Sequence, residues 1–381
     1  MKIAIVHDWL VTIGGAERVL EQMICCFPDA DIYSIVDFLS DNDRSRISNK
    51  TVSTSFIQKL PGAKKYYRQY LPFMPIAVEQ FDLSTYDIII SSSHAVAKGI
   101  ITGPDQLHIC LCYSPIRYAW DLSNEYLERS NLTKGIRSIL ARILMHYIRI
   151  WDVRSSFGVD EFISISHFIS RRVEKSYRRS SKVIYPSINV SDFDFAANKK
   201  DYFVTASRLV PYKGVDIIIN AFKNLPSEKL VVIGDGPDLE KCKLLAGDNV
   251  KILGYQSQEE LKEIVKYAKA FIFASEEDFG IAPIEAQACG TPVIALGRGA
   301  ALETIRGLEN SHPTGLFFKD KSPISVSDAI NYFNQEFYRI NPSDCRENAL
   351  RFSHQRFRSE FTEYVMSSYD KFQTKYALGR K

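Results

Sequence analysis

Short apolar runs alternate along the whole chain with amphipathic stretches of helical period. Residues 2–6, 88–91, 107–112 and 162–165 read as buried strands rich in Ile, Val or aromatic side chains. The second half repeats the pattern at 202–206, 230–233, 250–253, 270–274 and 292–295, with helical stretches at 216–225 and 259–268. Strands alternating with helices predict an α/β protein whose parallel sheets are covered on both faces. The pattern breaks at Tyr185-Pro-Ser-Ile-Asn-Val-Ser-Asp, which places an interdomain linker near 186–200. The expected domains are 1–187 and 188–355, with a C-terminal helical segment, 356–381, returning to the first. Two doubly wound domains joined in this way would form a cleft at the carboxyl ends of their sheets.

Composition narrows the class. The 381 residues suit two domains, and 45% hydrophobic with 24% charged residues is ordinary for a soluble globular protein. No run approaches the roughly 18–20 uncharged apolar residues of a membrane span. The opening MKIAIVHDWL reaches His7-Asp8 after four apolar residues and reads as a first strand rather than a signal-peptide core. The seven cysteines show no CxxC pair, so reduced thiols in a cytoplasmic protein are expected. No spacing suggests a metal site.

The net charge of +3 argues against nucleic acid as a partner, but it is unevenly spread. Residues 1–50 carry 5 basic and 8 acidic side chains, 51–200 carry 20 and 13, and 201–381 carry 23 and 24. Part of the excess lies in 134–151, where apolar residues at 136, 139, 140, 143, 144, 147, 148 and 151 form a helical stripe with no acid among them. Such stripes ordinarily pack on a core, so this one is expected to lie on the first domain's sheet, with a membrane surface as the alternative. The second concentration is a basic and aromatic loop, 64–74, in which Lys64, Lys65 and Arg68 are expected to approach anionic lipid.

Four segments carry candidate chemistry. In 275–293 a strand is followed by acids, Gly280, a helix and Gly290-Thr291-Pro292, with Glu277 and Glu285 eight positions apart. Gly280 allows close backbone approach and the helix start offers amides to a phosphate, although acids favour helix starts in any case. Ser207-Arg208-Leu209-Val210-Pro211-Tyr212-Lys213-Gly214 puts two cations on a loop after a strand, suited to a diphosphate or simply solvated. Gly234-Asp235-Gly236 makes a tight strand-to-helix turn, an incomplete dinucleotide fingerprint. Gly14-Gly15, after the first strand, reads either as an anion site or as a plain loop.

Together these residues, with Gly254 after its strand, resemble the retaining GT-B glycosyltransferases of family four. In the first domain His7-Asp8-Trp9, the run Tyr113-Ser114-Pro115-Ile116-Arg117-Tyr118-Ala119-Trp120-Asp121, and Trp151-Asp152 resemble bacterial O-antigen and exopolysaccharide mannosyltransferases. The resemblance implies two Rossmann-like doubly wound parallel-sheet domains, the first for the acceptor and the second for a sugar nucleotide. It implies a catalytic set of Arg208, Lys213 and Glu277, the two cations neutralising the diphosphate leaving group and Glu277 contacting the donor sugar. Glu285 would hold the ribose hydroxyls, Gly254 and Tyr255 would lie near the base, the amides at Gly280 and Ile281 would meet the distal phosphate, and Phe279 belongs to the implied donor-binding set. Gly14, Gly15 and Gly234 complete the implied donor set. Asp8, His94, Tyr113 and Arg117 are the acceptor-side candidates.

Where relatives carry His-Thr-Pro this chain has Tyr113-Ser114-Pro115, and a Tyr does not shuttle protons near neutrality. The implied activity is retaining, metal-independent and without a cofactor: mannose moves from GDP-mannose to a polyprenyl-diphosphate-linked saccharide at the inner face of a bacterial membrane, alongside polysaccharide-assembly partners. A sugar-nucleotide epimerase and a non-catalytic subunit of such an assembly are the alternatives, and an NAD dehydrogenase is the least supported.

Overall fold

The apolar runs pair into two wholly parallel sheets. In a computed structural model of the chain, which describes residues 1–377, the fold divides into two units. One takes residues 1–185 with the described chain after 356, and the other is Pro186–Arg356. The first sheet contains β1 (Ile3–His7), β2 (Asp31–Ser34), β3 (Val52–Thr54), β4 (Ile88–Ser93), β5 (Leu107–Cys112), β6 (Glu161–Ser164) and β7 (Lys182–Val183), in the order β3-β2-β1-β4-β5-β6-β7. The second contains β8 (Phe203–Ala206), β9 (Leu230–Ile233), β10 (Val250–Gly254), β11 (Ala270–Phe273), β12 (Val293–Leu296) and β13 (Gly315–Phe318), in the order β10-β9-β8-β11-β12-β13. Both are doubly wound, as expected. Winding reverses between β1 and β4 and between β8 and β11, and the loops leaving those strands diverge around a crevice.

All nine expected strands are present, with ends within two residues of those read from the pattern. Four more have no clear sequence signal. β3 and β7 are two- or three-residue edge strands and β2 alternates weakly, so none has an apolar run to announce it. β13 starts on Gly315, which reads as a turn signal. A Cβ there would lie 2.0 Å from the Val293 carbonyl oxygen, so this glycine permits strand pairing rather than ending it.

The 186–200 segment is not a free linker, because its polar groups find partners on the second unit. The Ala196 amide donates to the Cys289 carbonyl (3.2 Å), and Lys199 Nζ donates to that carbonyl (3.1 Å) and to Thr291 Oγ1 (3.0 Å). The C-terminal helix, His354–Ala377, buries Phe357, Phe361 and Val365, and Phe361 meets Phe27 of the first unit at 6.1 Å between ring centroids.

Two expectations for the basic region need correction. Segment 64–74 is not a loop but a series of short helices, Ala63–Tyr66 and Tyr67–Phe73, running into Met74–Glu79. Tyr67 packs into the core with Tyr70 and Leu71 beside it, and short helices achieve this without a sustained 3.6-residue period. The 134–151 stripe does form a helix, Ile136–Ser156, but only part of it packs. Ile148 and Trp151 are buried with Leu144 and Met145 beside them, whereas Ile136, Ile139, Leu140, Ile143 and Tyr147 are exposed. The stripe merges two faces, and the core takes one.

That helix is held by a buried ion pair. Lys98, just after β4, donates to Asp152 Oδ1, while Trp120 Nε1 (2.7 Å) and Tyr177 Oη (2.9 Å) donate to Oδ2. Burial works against the Lys98 ammonium, but Asp152 outweighs it and raises the Lys98 pKa. Trp151 lies against Gly99, where a Cβ would fall 2.2 Å from the indole. Asp152→Ala leaves an uncompensated buried cation and is expected to cost about 3–5 kcal/mol in urea unfolding, whereas Lys98→Met with Asp152→Leu should recover most of that loss.

Candidate functional site

In the second unit the loop after β8 carries Arg208 and Lys213, and the loop after β11 carries Glu277 and Gly280, so the switch point brings the expected cations and acids together. Two glycines set the Arg208 loop. Gly234 (φ 141°) and Gly236 (φ 152°) turn beneath it so closely that a Cβ would fall 1.8 Å from Ser207 O and 2.4 Å from Leu209 O respectively. Amides of Ser207 and Leu209 donate to Ile233 (3.1 Å) and Asp235 (2.8 Å) carbonyls, and Asp238 donates back to Leu209 (3.1 Å). The G-x-G turn therefore acts by supporting Arg208 from below. No carboxylate of the described residues forms an ion pair with Arg208, whose side chain is exposed.

Lys213 is placed differently. Its Nζ donates to Glu277 Oε1, which also accepts from Ser275 Oγ at 3.1 Å. Gly280 has φ 81°, and the nearest neighbour to a Cβ there is 3.6 Å away, so its backbone conformation rather than space calls for glycine. The helix that follows, Ile281–Ala288, carries Glu285. The Phe279 ring is buried edge-on against Phe352 (5.7 Å between centroids).

A cavity of about 440 Å³ lies on this unit, lined by Arg208, Gly234, Tyr255 and Glu285 among others. Its volume is in the range of small-molecule sites. Ile233, Val265 and Phe271 supply apolar wall, and Asp235, Gln256 and Lys262 add polar groups that the sequence reading missed. Asp235 and Gln256 follow β9 and β10 and could have been suspected as strand ends, whereas Lys262 lies on the helix Gln258–Tyr267, and which side chains turn inward is set by the fold. Lys213, Glu277, Gly280 and Ile281 are not in its lining, and Gly254 precedes the Tyr255 that is.

In the first unit Asp8, at the end of β1, is fully buried and accepts four backbone N–H groups from the loop after β4. Oδ2 takes His94 (2.6 Å) and Ala95 (2.9 Å), and Oδ1 takes Val96 (2.6 Å) and Ala97 (2.7 Å). His94 Nδ1 lies 2.9 Å from Oδ2, and its ring meets Trp9 edge-on at 4.5 Å. Burial pushes the Asp8 carboxyl up, but the facing His94 charge and hydrogen bonds, with His7, outweigh it and hold the group well below the usual carboxylate range. Asp8 is thus a positioning group without free lone pairs for an acceptor, and the partly exposed His94 is what it presents.

Tyr113 is also buried. Its hydroxyl donates to the Ala16 carbonyl (3.0 Å) and lies 3.0 Å from Ser92 Oγ, and burial raises its pKa further from neutrality. It braces the helix Gly15–Cys26 against β4 rather than facing solvent. Gly14 does not offer its amide to an outside anion, because that N–H donates to Glu17 Oε2 at 2.8 Å. Glu17, missed in the sequence, sits where an N-terminal helix carboxylate is favoured, and its Oε1 is 3.5 Å from Nε2 of the buried His7. Gly15 begins that helix, and Arg117 lies half-buried in the turn before Trp120. Lys64, Lys65 and Arg68 are exposed, Lys65 over the Tyr66 ring (5.2 Å) and Arg68 over Tyr67 (5.4 Å). Among the described residues no cluster of three or more His, Cys, Asp or Glu could hold a metal ion, and no helix is long and apolar enough to cross a membrane.

Residues 187–351 match the family model described as glycosyl transferases group 1. The chain is 34% identical over 206 residues to a GDP-mannose-dependent alpha-(1-6)-phosphatidylinositol monomannoside mannosyltransferase of Mycobacterium tuberculosis, an alignment covering 45% of this chain and 52% of that one. It is 32% identical over 143 residues to the O-antigen chain mannosyltransferase RfbU of Salmonella typhimurium, covering 35% and 40%. The chain spans about half the length of the curated relatives it matches. Among solved structures, Anabaena Alr3699/HepE in complex with UDP superposes with a TM-score of 0.69 at 19% identity, over 96% of this chain and 100% of that one. Sucrose-phosphate synthase of Thermosynechococcus elongatus gives 0.71 at 14%, over 97% and 100%. The fold is that of GT-B glycosyltransferases.

The depressed Asp8 pKa has a consequence for stability. An ordinary carboxylate titrates at about 4, so Asp8 contributes in full above that and its contribution is withdrawn as the pH falls below it. Between pH 5 and pH 3 the stability gap between wild type and Asp8→Asn should narrow by about 1 kcal/mol in urea unfolding. A gap that holds constant would mean that folding does not lower the Asp8 pKa.

Proposed function

Because residues 187–351 match the group 1 glycosyl transferases and the chain has the GT-B fold, we propose that it is a retaining, metal-independent α-mannosyltransferase. It moves mannose from GDP-mannose to a polyprenyl-diphosphate-linked saccharide in surface-polysaccharide assembly, working at the inner face of a bacterial membrane. The observation that carries the donor reading is the second unit's cavity, where an exposed Arg208 with no ion-pair partner among the described residues lines a partly apolar space together with Glu285 and Tyr255.

A nucleotide fits that combination. Apolar wall and the Tyr255 ring suit a base, Glu285 suits ribose hydroxyls as an acceptor of two hydrogen bonds, and Arg208 suits a diphosphate through its planar fork. Lys213 and Glu277 offset each other's charge, which positions the ammonium for phosphate and the carboxylate for sugar hydroxyls. As the glycosidic bond to the diphosphate breaks, negative charge grows on the leaving oxygens, and preorganised cations stabilise that change most. The acceptor hydroxyl attacks on the same face, its proton passing to the leaving phosphate, so configuration is retained without a protein nucleophile. A role for Tyr113 in proton transfer has no support, since its hydroxyl is buried and engaged. The mannose and GDP assignments draw on the activities for which the two relatives above are named.

Incubation with labelled GDP- and UDP-sugars and a lipid-linked acceptor tests the reading. Transfer of mannose from GDP-mannose is expected, with Arg208→Ala and Lys213→Ala each lowering kcat/KM by about 10²–10³-fold. GDP at a hundredfold excess over its Kd should stabilise the fold by about 2.7 kcal/mol. Conversion of the free donor without transfer would instead indicate an epimerase. No transfer and no stabilisation by either nucleotide would defeat the enzyme reading.

A further inference from the structure

The helix Ile136–Ser156 has two apolar faces, of which the fold uses one. Toward the core, Leu144, Ile148 and Trp151 join the first unit's hydrophobic cluster. On the other side Ile136, Ile139, Leu140, Ile143, Tyr147 and Ile150 are 46–76% exposed. At 3.6 residues per turn these six fall within a sector of about 100° and run for about 21 Å along the axis. Single exposed apolar side chains are normal on any surface, but a continuous stripe marks a surface that meets something apolar. The helix cannot turn to hide it. Asp152 is paired with Lys98, Trp151 Nε1 donates to Glu79 Oε1 (2.7 Å), and Arg149 Nη1 donates to the Ala119 carbonyl (2.7 Å).

We infer that this face inserts into the headgroup–acyl boundary of an anionic lipid bilayer. Charge complementarity selects that occupant. Arg137 and Arg142 lie beside the stripe, Lys134 precedes it and Arg154 follows, and 134–151 contains no acid. An apolar face bordered by cations is what an interfacial helix needs to bind anionic lipid. The short helices at 63–79 extend the surface chemically: they expose Lys64, Lys65 and Arg68 with Tyr66, Phe73 and Ile76, while their Tyr67 and Met74 pack in the same cluster as Ile148 and Trp151. A second copy of the chain is a poorer occupant, because an isologous pairing of two such faces would set the same cations against one another.

This deepens the proposed function by naming the surface that would bring the enzyme to a lipid-linked acceptor, and it rests on that reading only for its purpose. Vesicle flotation with phosphatidylglycerol–phosphatidylcholine and with phosphatidylcholine alone measures binding without any sugar transfer, so the two readings fail separately. Wild type is expected on the anionic vesicles and to leave them as salt rises. Ile139→Glu with Ile143→Glu should lower partitioning at least about tenfold while leaving the melting temperature unchanged, since both side chains are exposed. The triple change Lys64→Glu, Lys65→Glu, Arg68→Glu should weaken binding to the anionic vesicles at low salt. Wild type that binds neither vesicle, or an Ile139→Glu/Ile143→Glu variant that binds as well as wild type, overturns the inference. So does a lipid-free wild-type dimer that this variant turns into a monomer, which would assign the face to a second copy.

Discussion

A parallel sheet wound outward in two directions leaves one gap at its centre, where the loops leaving neighbouring strands turn to opposite faces. Beyond the strand ends side chains bridge the two loops, and in both units a carboxylate makes the bridge. In the first, Asp8 after β1 gathers four amides of the loop after β4 and faces His94. In the second, Lys213 after β8 meets Glu277 after β11. The geometry of each candidate site follows from these bridges, because they decide where the two loops stand relative to each other.

The two bridges differ in what they leave exposed. Asp8 is consumed by the amides of the loop after β4, so the first unit shows an imidazole and keeps the carboxylate inside. The Lys213–Glu277 pair is partly exposed and balances itself, whereas Arg208 lines the cavity with no ion pair among the described residues. Arg208 is held out by a backbone contact too tight for any side chain at Gly234. Rigidity at a glycine turn and freedom at an arginine head are complementary: the loop is fixed so that the charge does not have to be.

Buried polarity plays the same part at the helix Ile136–Ser156. Asp152 satisfies Lys98, Trp120 and Tyr177 together, and such a network is costly to break and so fixes the helix's rotation. Fixing the inner face also fixes which apolar side chains point away from the core. The regional basic excess thereby acquires a location, much of it bordering an apolar surface instead of being spread over a neutral one.

Much of the fold and part of the site could be read along the chain, because those features are local. A run such as Ile88-Ile89-Ile90 states its burial by itself, and a glycine after a strand states a turn. The cations on the β8 loop and the acids on the β11 loop follow from strand ends that the apolar pattern marks. What stayed hidden depends on groups far apart in sequence. Nothing near Asp8 reveals that its oxygens are taken by amides 86 to 89 residues away, and nothing near Tyr113 reveals that its hydroxyl is taken by Ala16. The periodicity of 134–151 merged an inner and an outer face, since a 3.6-residue repeat records that side chains are apolar and not what lies opposite them. Sequence alone determined the nine strands with apolar runs, the glycine turns that follow them and the types of charge at the loops. The tertiary structure decided which of those charges are spent inside the fold and which apolar face is left without a partner, because burial belongs to pairs of surfaces and not to any one segment.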